Sequence, residues 1–487
     1  MSSLPEYSKI RFIGYPIPTT PSNVVTIWPG TLAGTYVADP NLLDDITGRV
    51  KLLKLAVDTA KQAIDAAAPK GEDEVINVFM APEFYFHGLL GPYVFSPAAA
   101  TTSYLQPQEE AERSADSPLE VTPNDPMIEI QRQLTAAFNN KAYPNWMFVF
   151  GTAITAEVRN ISNALYDEQT QVRNRVVQLL AKECLSTFGT VRGSLIGMIQ
   201  DFIATCHAYP VLMVRGRAPI HSNIGTPPGK LPTDQMTTEK FSMSSEDLVL
   251  YDPNGGAVTK VITEQMVAYQ MIDLYSGDLK RKRDDPYAIF RQYYGEDSLS
   301  GYMDFAVEIC LDHLNYRLRK GIGRQPFPFI RDAVHVQLIP SCGTSILPGA
   351  VATDADGYVF NCDGQATIGS KNYGKCQLGT TNDNFANMNC LYTDNSAGGA
   401  HTQLARVLTP AVGGNPSLGT DATFYSNLLP STASCLPVTI PPGCEPNVGQ
   451  YFAAAGPGEV HIYGLTEPYL LYGPERAPGS GLAGIQH

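Results

Sequence analysis

Two apolar runs that stop abruptly at polar residues dominate the hydrophobic pattern of this chain. Phe305–Ile309 ends at Cys310, and a charged and polar stretch follows at once. Val75–Met80 runs through alanine and proline into Glu83. A short apolar run bounded by polar residues is typical of a buried strand. Strand ends face loops, where α/β proteins usually build their active sites, so both runs indicate candidate functional positions.

The N-terminal third alternates between strand and helix patterns. An apolar stripe at helical spacing predicts a helix over 41–68, and short strands precede and follow it. Such a β–α–β opening predicts parallel pairing of the strands. The elements expected next are a helix at Met127–Asn140 and a strand at Trp146–Phe150, after a first strand at 9–15.

The texture changes after residue 364. Residues 365–460 are rich in Gly, Asn, Thr, Ser and Pro, which predicts elaborated loops. Helical periodicity is expected only at Thr402–Val407 and Phe424–Leu429, and Glu459–Tyr463 and 469–472 resemble closing strands. We therefore expect 365–487 to be a loop-rich part that completes the domain formed by 1–364.

Three kinds of side chain at such positions are candidates for catalytic roles. The thiol of Cys310 can act as a nucleophile, although most free cysteines are simply buried core residues. A carboxylate among apolar side chains, such as Glu83, has a raised pKa and becomes a usable base, although most glutamates are solvated. Lys182 ends an apolar segment and could stabilise an oxyanion, and Lys260, after a strand–turn–strand pattern, is its rival.

The order Glu83, Lys182, Cys310 resembles the nitrilase superfamily of carbon–nitrogen hydrolases. The residues Met80-Ala81-Pro82-Glu83, Ala181-Lys182-Glu183-Cys184-Leu185 and Glu308-Ile309-Cys310-Leu311-Asp312 are similar to its three motifs, and Val334–Ser341 and Gly357–Gly364 are similar to later core strands. The resemblance covers roughly 8–470. Insertions are expected at about 97–127 and 188–245, the second with a buried or lid-like helix at Gly193–Val214.

The resemblance implies a four-layer α-β-β-α sandwich that forms a homodimer or a larger homo-oligomer. It implies hydrolysis of a small amide, carbamoyl compound or nitrile without a metal or an organic cofactor. Glu83 would be the base, Cys310 the nucleophile of a thioester intermediate, and Lys182 with the backbone N–H of Leu311 would hold the oxyanion.

Several alternatives stay open. The same triad could transfer the acyl group to an amine, or the chain could be a non-catalytic assembly module. His313 suggests a peptidase dyad with Cys310, although the partners of such a dyad rarely adjoin in sequence. Tyr85, Phe86 and His313 are candidates for the substrate pocket, with core packing as the alternative for the two aromatic rings. A further active-site glutamate would be Glu239, Glu246 or Glu264.

Composition limits the partners and the cellular compartment that we expect for this chain. The 487 residues carry a formal net charge of −14, which argues against nucleic acid as a partner. The start has no secretory pattern and no run has the length of a membrane helix, so we expect no membrane partner. Nine cysteines without a CxxC pair favour free thiols in a reducing cytoplasm over disulfides or zinc. Cys342 is a second thiol at a strand end.

Overall fold

A computed structural model gives the structure of the chain. It describes residues 7–19, 22–28, 31–35, 38–39, 41–67, 74–88, 92–95, 125–159, 211–225, 234–242, 288–293, 302–321, 333–364, 401–409, 423–428, 433–442, 451–452 and 457–471.

The described chain forms four α-helices, one short 3-10 helix (Pro348–Ala350) and eighteen strands. The helices are α1 (Leu42–Ala67), α2 (Pro126–Ala137), α3 (Leu311–Leu314) and α4 (Arg317–Gly321). The strands up to residue 239 are β1 (Lys9–Gly14), β2 (Ser22–Trp28), β3 (Thr31–Thr35), β4 (Val75–Ala81), β5 (Tyr93–Phe95), β6 (Trp146–Phe150), β7 (Ala153–Arg159), β8 (Val211–Ser222) and β9 (Asp234–Glu239). The later strands are β10 (Ile289–Tyr293), β11 (Tyr302–Val307), β12 (Val334–Ser341), β13 (Thr353–Asp363), β14 (His401–Thr409), β15 (Thr423–Leu428), β16 (Ala433–Pro437), β17 (Glu459–Tyr463) and β18 (Tyr469–Leu470).

The first sheet has a parallel centre with antiparallel flanks. Its order is β16-β17-β1-β4-β6-β8-β7-β5, with β18 on β1 and β9 on β8. Strands β1, β4 and β6 run parallel, whereas β8 and β17 are antiparallel to their neighbours. Of these parallel strands, β4 and β6 are almost wholly apolar and fully buried, because both faces of the sheet are covered there.

The second sheet has the order β10-β11-β12-β13-β14-β15. Its central strands β11, β12 and β13 are parallel, and its outer pairs are antiparallel. Strands β2 and β3 form a separate antiparallel pair.

The two sheets share one hydrophobic layer. Phe12 of β1 packs against Phe360 of β13, with ring centroids 5.3 Å apart. The approach is close at Gly14, where an added Cβ would lie 2.4 Å from Cγ2 of Thr402. The other face of the first sheet is covered by α1 and α2, through a separate cluster that contains Leu53 and Phe148. The fold is therefore mixed α/β with two mixed sheets, and one of them carries a helical layer.

Beyond the second sheet, the described residues place only short helical segments, among them α4 with Leu318 in a small apolar cluster. Among the helices that the structure describes, none combines the length and the apolar character that crossing a bilayer requires.

Several expectations from the sequence hold. The helices predicted at 41–68 and Met127–Asn140 correspond to α1 and α2, and the strands at 9–15 and Trp146–Phe150 to β1 and β6. The closing strand at Glu459–Tyr463 is β17.

Other expectations were wrong. The helix and loop character expected between 188 and 245 does not hold at Val211–Ser222 and Asp234–Glu239, which form β8 and β9 of the first sheet. The helix expected at Gly193–Val214 cannot extend to its predicted end, since β8 begins at Val211. Thr402–Val407 and Phe424–Leu429 fall on strands β14 and β15, where pairing with a neighbouring strand overrides a weak helical spacing. Most of 97–127 lies outside the described residues.

Candidate functional site

Cys310 stands in a sharp turn between β11 and the short helix α3. Its backbone has φ 58° and ψ −104°, a conformation that a side chain with a Cβ rarely adopts. Such strain persists only when the surrounding structure imposes it, and it concentrates at functional positions. The residue is 6% exposed. The thiol of Cys310 thus lies just after the end of β11, where the sequence predicted that a buried strand stops.

Glu83 follows β4 of the first sheet and is fully buried. Its backbone N–H donates to the carbonyl of Ser341 at 3.2 Å, and Thr19 donates through Oγ1 to the carbonyl of Glu83 at 2.6 Å. The next residue, Phe84, has φ 60° and its N–H donates to Oγ1 of Thr152. These bonds fix the turn after β4 against the end of β12 in the second sheet.

Lys240 is the cation that the structure brings to Glu83. Its Nζ lies 2.8 Å from Oε1 of Glu83, and both side chains are buried. The residue directly follows β9, and its N–H donates to the carbonyl of Gly216 in β8 at 2.8 Å. Lys182 and Lys260, the lysines singled out from sequence, lie outside the described residues.

The thiol of Cys310 interacts electrostatically with both charged groups. Burial raises the pKa of Cys310 well above its usual value, and the charge of Glu83 raises it further. The charge of Lys240 and a hydrogen bond to the backbone of Cys342 act in the opposite direction. The resting group is therefore a protonated thiol, and its reaction as a nucleophile requires a base.

The tight loop that follows β12 also contacts the sulfur atom of Cys310. Sγ of Cys310 lies 3.8 Å from the carbonyl oxygen of Cys342 and 3.5 Å from Oγ1 of Thr344. The carboxylate of Asp363 holds this loop by accepting hydrogen bonds from the N–H groups of Gly343 and Thr344 at 2.7 and 2.9 Å. Burial and then the charge of Asp363 raise the pKa of Cys342, so this neighbouring thiol is also protonated.

A second network supports the turn behind Cys310. Glu308 accepts hydrogen bonds from the N–H of Leu318 at 2.8 Å and from Nε2 of Gln337 at 2.7 Å, and its carboxylate contacts Nδ1 of His313 at 2.8 Å. The N–H of Leu347 donates to Nε2 of His313. Both ring nitrogens of His313 are thus bound to protein groups. These contacts give His313 a part in supporting the turn, and its pocket role stays a prediction.

Leu311, the expected oxyanion donor, is the first residue of α3. The first amides of a helix have no acceptor within the helix, so this position suits a donor aimed beside Cys310.

Tyr85 and Phe86, the other two pocket candidates, are buried in the layer between the first sheet and α1. The hydroxyl of Tyr85 donates to the carbonyl of Arg49, and its ring meets that of Phe452 at 4.9 Å. These contacts favour the core-packing alternative for both rings.

Sequence reasoning missed Lys240. Strand β9 is polar, with the sequence Asp-Gln-Met-Thr-Thr-Glu, so its hydrophobic pattern is too weak to predict a strand. The available signal was a lysine followed by phenylalanine directly after Glu239, itself a candidate for the additional glutamate. Glu239 is buried, and its Oε1 lies 3.8 Å from Nε of Arg215. Glu246 and Glu264 lie outside the described residues.

Within the described ranges, no cluster of three or more His, Cys, Asp or Glu side chains could hold a metal ion. Comparison of the chain with models of protein families, with curated proteins and with solved structures found no match. The fold and the site define a mixed α/β protein in which two sheets bring a buried glutamate–lysine pair to a cysteine.

Proposed function

We propose that this protein hydrolyses a non-peptide carbon–nitrogen bond of a small amide, carbamoyl compound or nitrile, in the manner of the nitrilase superfamily. Cys310 is the nucleophile and Glu83 the general base, and Lys240 takes the role that the sequence had suggested for Lys182. The observation that carries the proposal is the buried ion pair of 2.8 Å between Lys240 and Glu83 beside the thiol.

In the acylation step, Glu83 accepts the thiol proton while Sγ of Cys310 attacks the carbonyl carbon of an amide. The carbon–oxygen π electrons move to oxygen, and the ammonium of Lys240 and the N–H of Leu311 stabilise the resulting anion. Protonated Glu83 then gives its proton to the leaving amine. The carbon–nitrogen bond breaks and a thioester remains on the enzyme.

Deacylation uses the same carboxylate. Glu83 takes a proton from water, the oxygen attacks the thioester carbon, and the carbon–sulfur bond breaks. The proton returns from Glu83 to sulfur, which regenerates the thiol and releases the carboxylic acid. Because these charges sit in a buried site, each electrostatic contact acts more strongly than it would in water.

The proposal extends to the architecture. Two facing sheets with helices on one outer side are compatible with an α-β-β-α sandwich, whose fourth layer would be helical. We propose that the protein pairs through helical faces into a homodimer or larger homo-oligomer, as the family resemblance implies.

The test is intact-mass analysis after incubation with a panel of small amides and nitriles, combined with measurement of released ammonia. We expect an acyl adduct on wild-type protein and on Cys342→Ala, and none on Cys310→Ala. The two cysteines are a matched pair, because both are buried and Sγ of Cys310 lies 3.8 Å from the backbone carbonyl oxygen of Cys342. The proposal fails if ammonia release and adduct formation are absent across the panel, or if both persist in Cys310→Ala.

Lys240→Met should abolish ammonia release, whereas Lys54→Met should leave it unchanged. Lys54 also lies 2.6 Å from a carboxylate, that of Asp58, but its side chain is 44% exposed. Removing one partner of a buried pair costs roughly 3–5 kcal/mol, so the free energy of unfolding is measured on the same samples.

A further inference from the structure

Asp312, two residues after Cys310, has a carboxylate turned away from its own helix. An acidic side chain in the first turn of a helix usually serves the amides of that helix. Here Oδ2 accepts a hydrogen bond of 2.9 Å from the N–H of Phe241, and Oδ1 accepts one of 2.6 Å from the N–H of Ser242. Both amides belong to the chain that directly follows Lys240.

Arg317 completes this contact. Its Nη1 donates to Oδ2 of Asp312 at 3.0 Å and to the carbonyl of Glu239 at 2.9 Å. The guanidinium carbon also lies 5.8 Å from the centroid of the Phe241 ring. The Asp312–Arg317 ion pair, in the helical segment that follows β11, therefore binds the backbone on both sides of Lys240.

The Asp312–Arg317 pair lies where it can control the distance between Lys240 and Cys310. Lys240 comes from the first sheet and Cys310 from the second, so their separation depends on contacts between the two. The strand β8 holds the backbone of Lys240 on the first-sheet side. Asp312 holds the two following amides from the segment that begins at Cys310. Charge-assisted hydrogen bonds of this kind are shorter and stronger than neutral ones.

We infer that Asp312 is a positioning residue that fixes Lys240 beside Cys310 by binding the backbone after the lysine. It does so with Arg317, without touching the reacting groups. The inference rests on the proposed function, since it assigns a purpose to the distance between lysine and thiol.

The test is the pH profile of Cys310 alkylation by iodoacetamide, followed by peptide mass analysis. The groups that act on this thiol are Glu83, Lys240 and Cys342. Asp312→Asn should slow alkylation at a fixed, mildly alkaline pH on the order of tenfold, the effect of one unit in the thiol pKa. Lys240→Met should shift the profile in the same direction. The double variant should show no further shift, because both changes remove the same interaction.

Asp304→Asn is the matched control. Asp304 is a buried aspartate of β11 that accepts two hydrogen bonds of 2.7 and 2.9 Å from Arg291, the residue opposite it on β10. Its loss should lower stability and leave the alkylation profile unchanged. If Asp312→Asn does not fold, Arg317→Gln keeps the aspartate and should produce a smaller shift in the same direction.

A wild-type profile in Asp312→Asn, or additive shifts in the double variant, would overturn the inference. Alkylation requires no turnover, which separates this result from the proposed function. A shifted profile in a protein without hydrolase activity would support Asp312 as a positioning residue and contradict the hydrolase. An active protein with an unshifted Asp312→Asn profile would do the reverse.

Discussion

His221 of β8 lies in the aromatic layer between the first sheet and the helices. Its ring meets that of Phe150 edge-on, with centroids 5.1 Å apart. Neither ring nitrogen has a hydrogen-bond partner in the part of the chain that the structure describes. Burial lowers the pKa of His221 to about 4. The native state therefore holds this ring neutral, whereas the unfolded chain binds a proton below the usual histidine pKa of about 6.5.

Acid should weaken the fold through this histidine. Above about pH 6.5 both states are neutral and the group has no effect. As the pH falls from about 6.5 to about 4, the unfolded state binds the extra proton, and the native state loses up to about 3 kcal/mol. We expect His221→Leu to flatten that part of the curve, measured as the difference in urea-unfolding free energy between variant and wild type. Parallel curves for the two proteins between pH 4 and 7 would contradict the expectation.

At the scale of elements, the turn after β4 depends on a glycine in the neighbouring strand connection. Gly151 follows β6 with φ 73°, in the left-handed region that favours glycine. A Cβ added there would lie 2.2 Å from the carbonyl oxygen of Pro82 and 2.8 Å from Cβ of Tyr85. Neither atom belongs to the flexible end of a side chain. The turn after β4, which contains Glu83, therefore packs tightly against the turn after β6, with no room for a side chain at Gly151.

Gly151→Ala should destabilise the protein and displace Glu83. The left-handed conformation alone costs an alanine roughly 1–2 kcal/mol, and the clash with Pro82 adds to this. Gly458 is the control, since it has φ 70° but its nearest neighbour, Cε2 of Tyr15, is 3.2 Å away. We expect Gly458→Ala to lose less stability than Gly151→Ala in urea unfolding, because its added Cβ would meet side-chain atoms at 3.2 Å or more and no backbone atom at 2.2 Å. Equal losses of stability, with unchanged Cys310 alkylation in both variants, would show that the Gly151 contact is unimportant.

At the scale of the whole molecule, the site exists only because the two sheets face each other. Glu83 and Lys240 come from the first sheet, and Cys310 from the second. The layer between them includes Phe360, which packs on Phe12 and on Tyr463, with ring centroids 5.3 and 5.9 Å apart. Polar contacts add to it, because Oγ1 of Thr402 lies 2.8 Å from Nδ1 of His461 and 2.9 Å from the hydroxyl of Tyr463.

Phe360→Ala should therefore affect the site more than an equally destabilising change elsewhere. Truncating a buried phenylalanine costs roughly 3–5 kcal/mol. Phe148→Ala is the control, because Phe148 is equally buried but stacks on Phe150 on the helical side of the first sheet. We expect a similar fall in unfolding free energy for both variants, and a larger change in the Cys310 alkylation profile for Phe360→Ala. Identical profiles would argue that the distance between the sheets does not control the site.

The sequence by itself determined the strong local patterns. The stripe of α1, the apolar runs of β4, β6 and β11, and the positions of Glu83 and Cys310 at strand ends follow from periodicity and from breaks in it. The sequence failed at β9 and β14, where pairing with a neighbouring strand overrides weak local preferences.

Only the tertiary structure shows that Lys240 is the lysine that pairs with Glu83. Its partner Glu83 is 157 positions away, and no local pattern distinguishes it from the lysines that follow more regular segments. Strand β9 pairs with β8, and Asp312 accepts hydrogen bonds from the two amides after Lys240. Together these contacts hold the Lys240 ammonium at the Glu83 carboxylate. Because both groups of the Lys240–Glu83 ion pair are buried, each charge requires the other as its partner, and only the folded chain brings the two together.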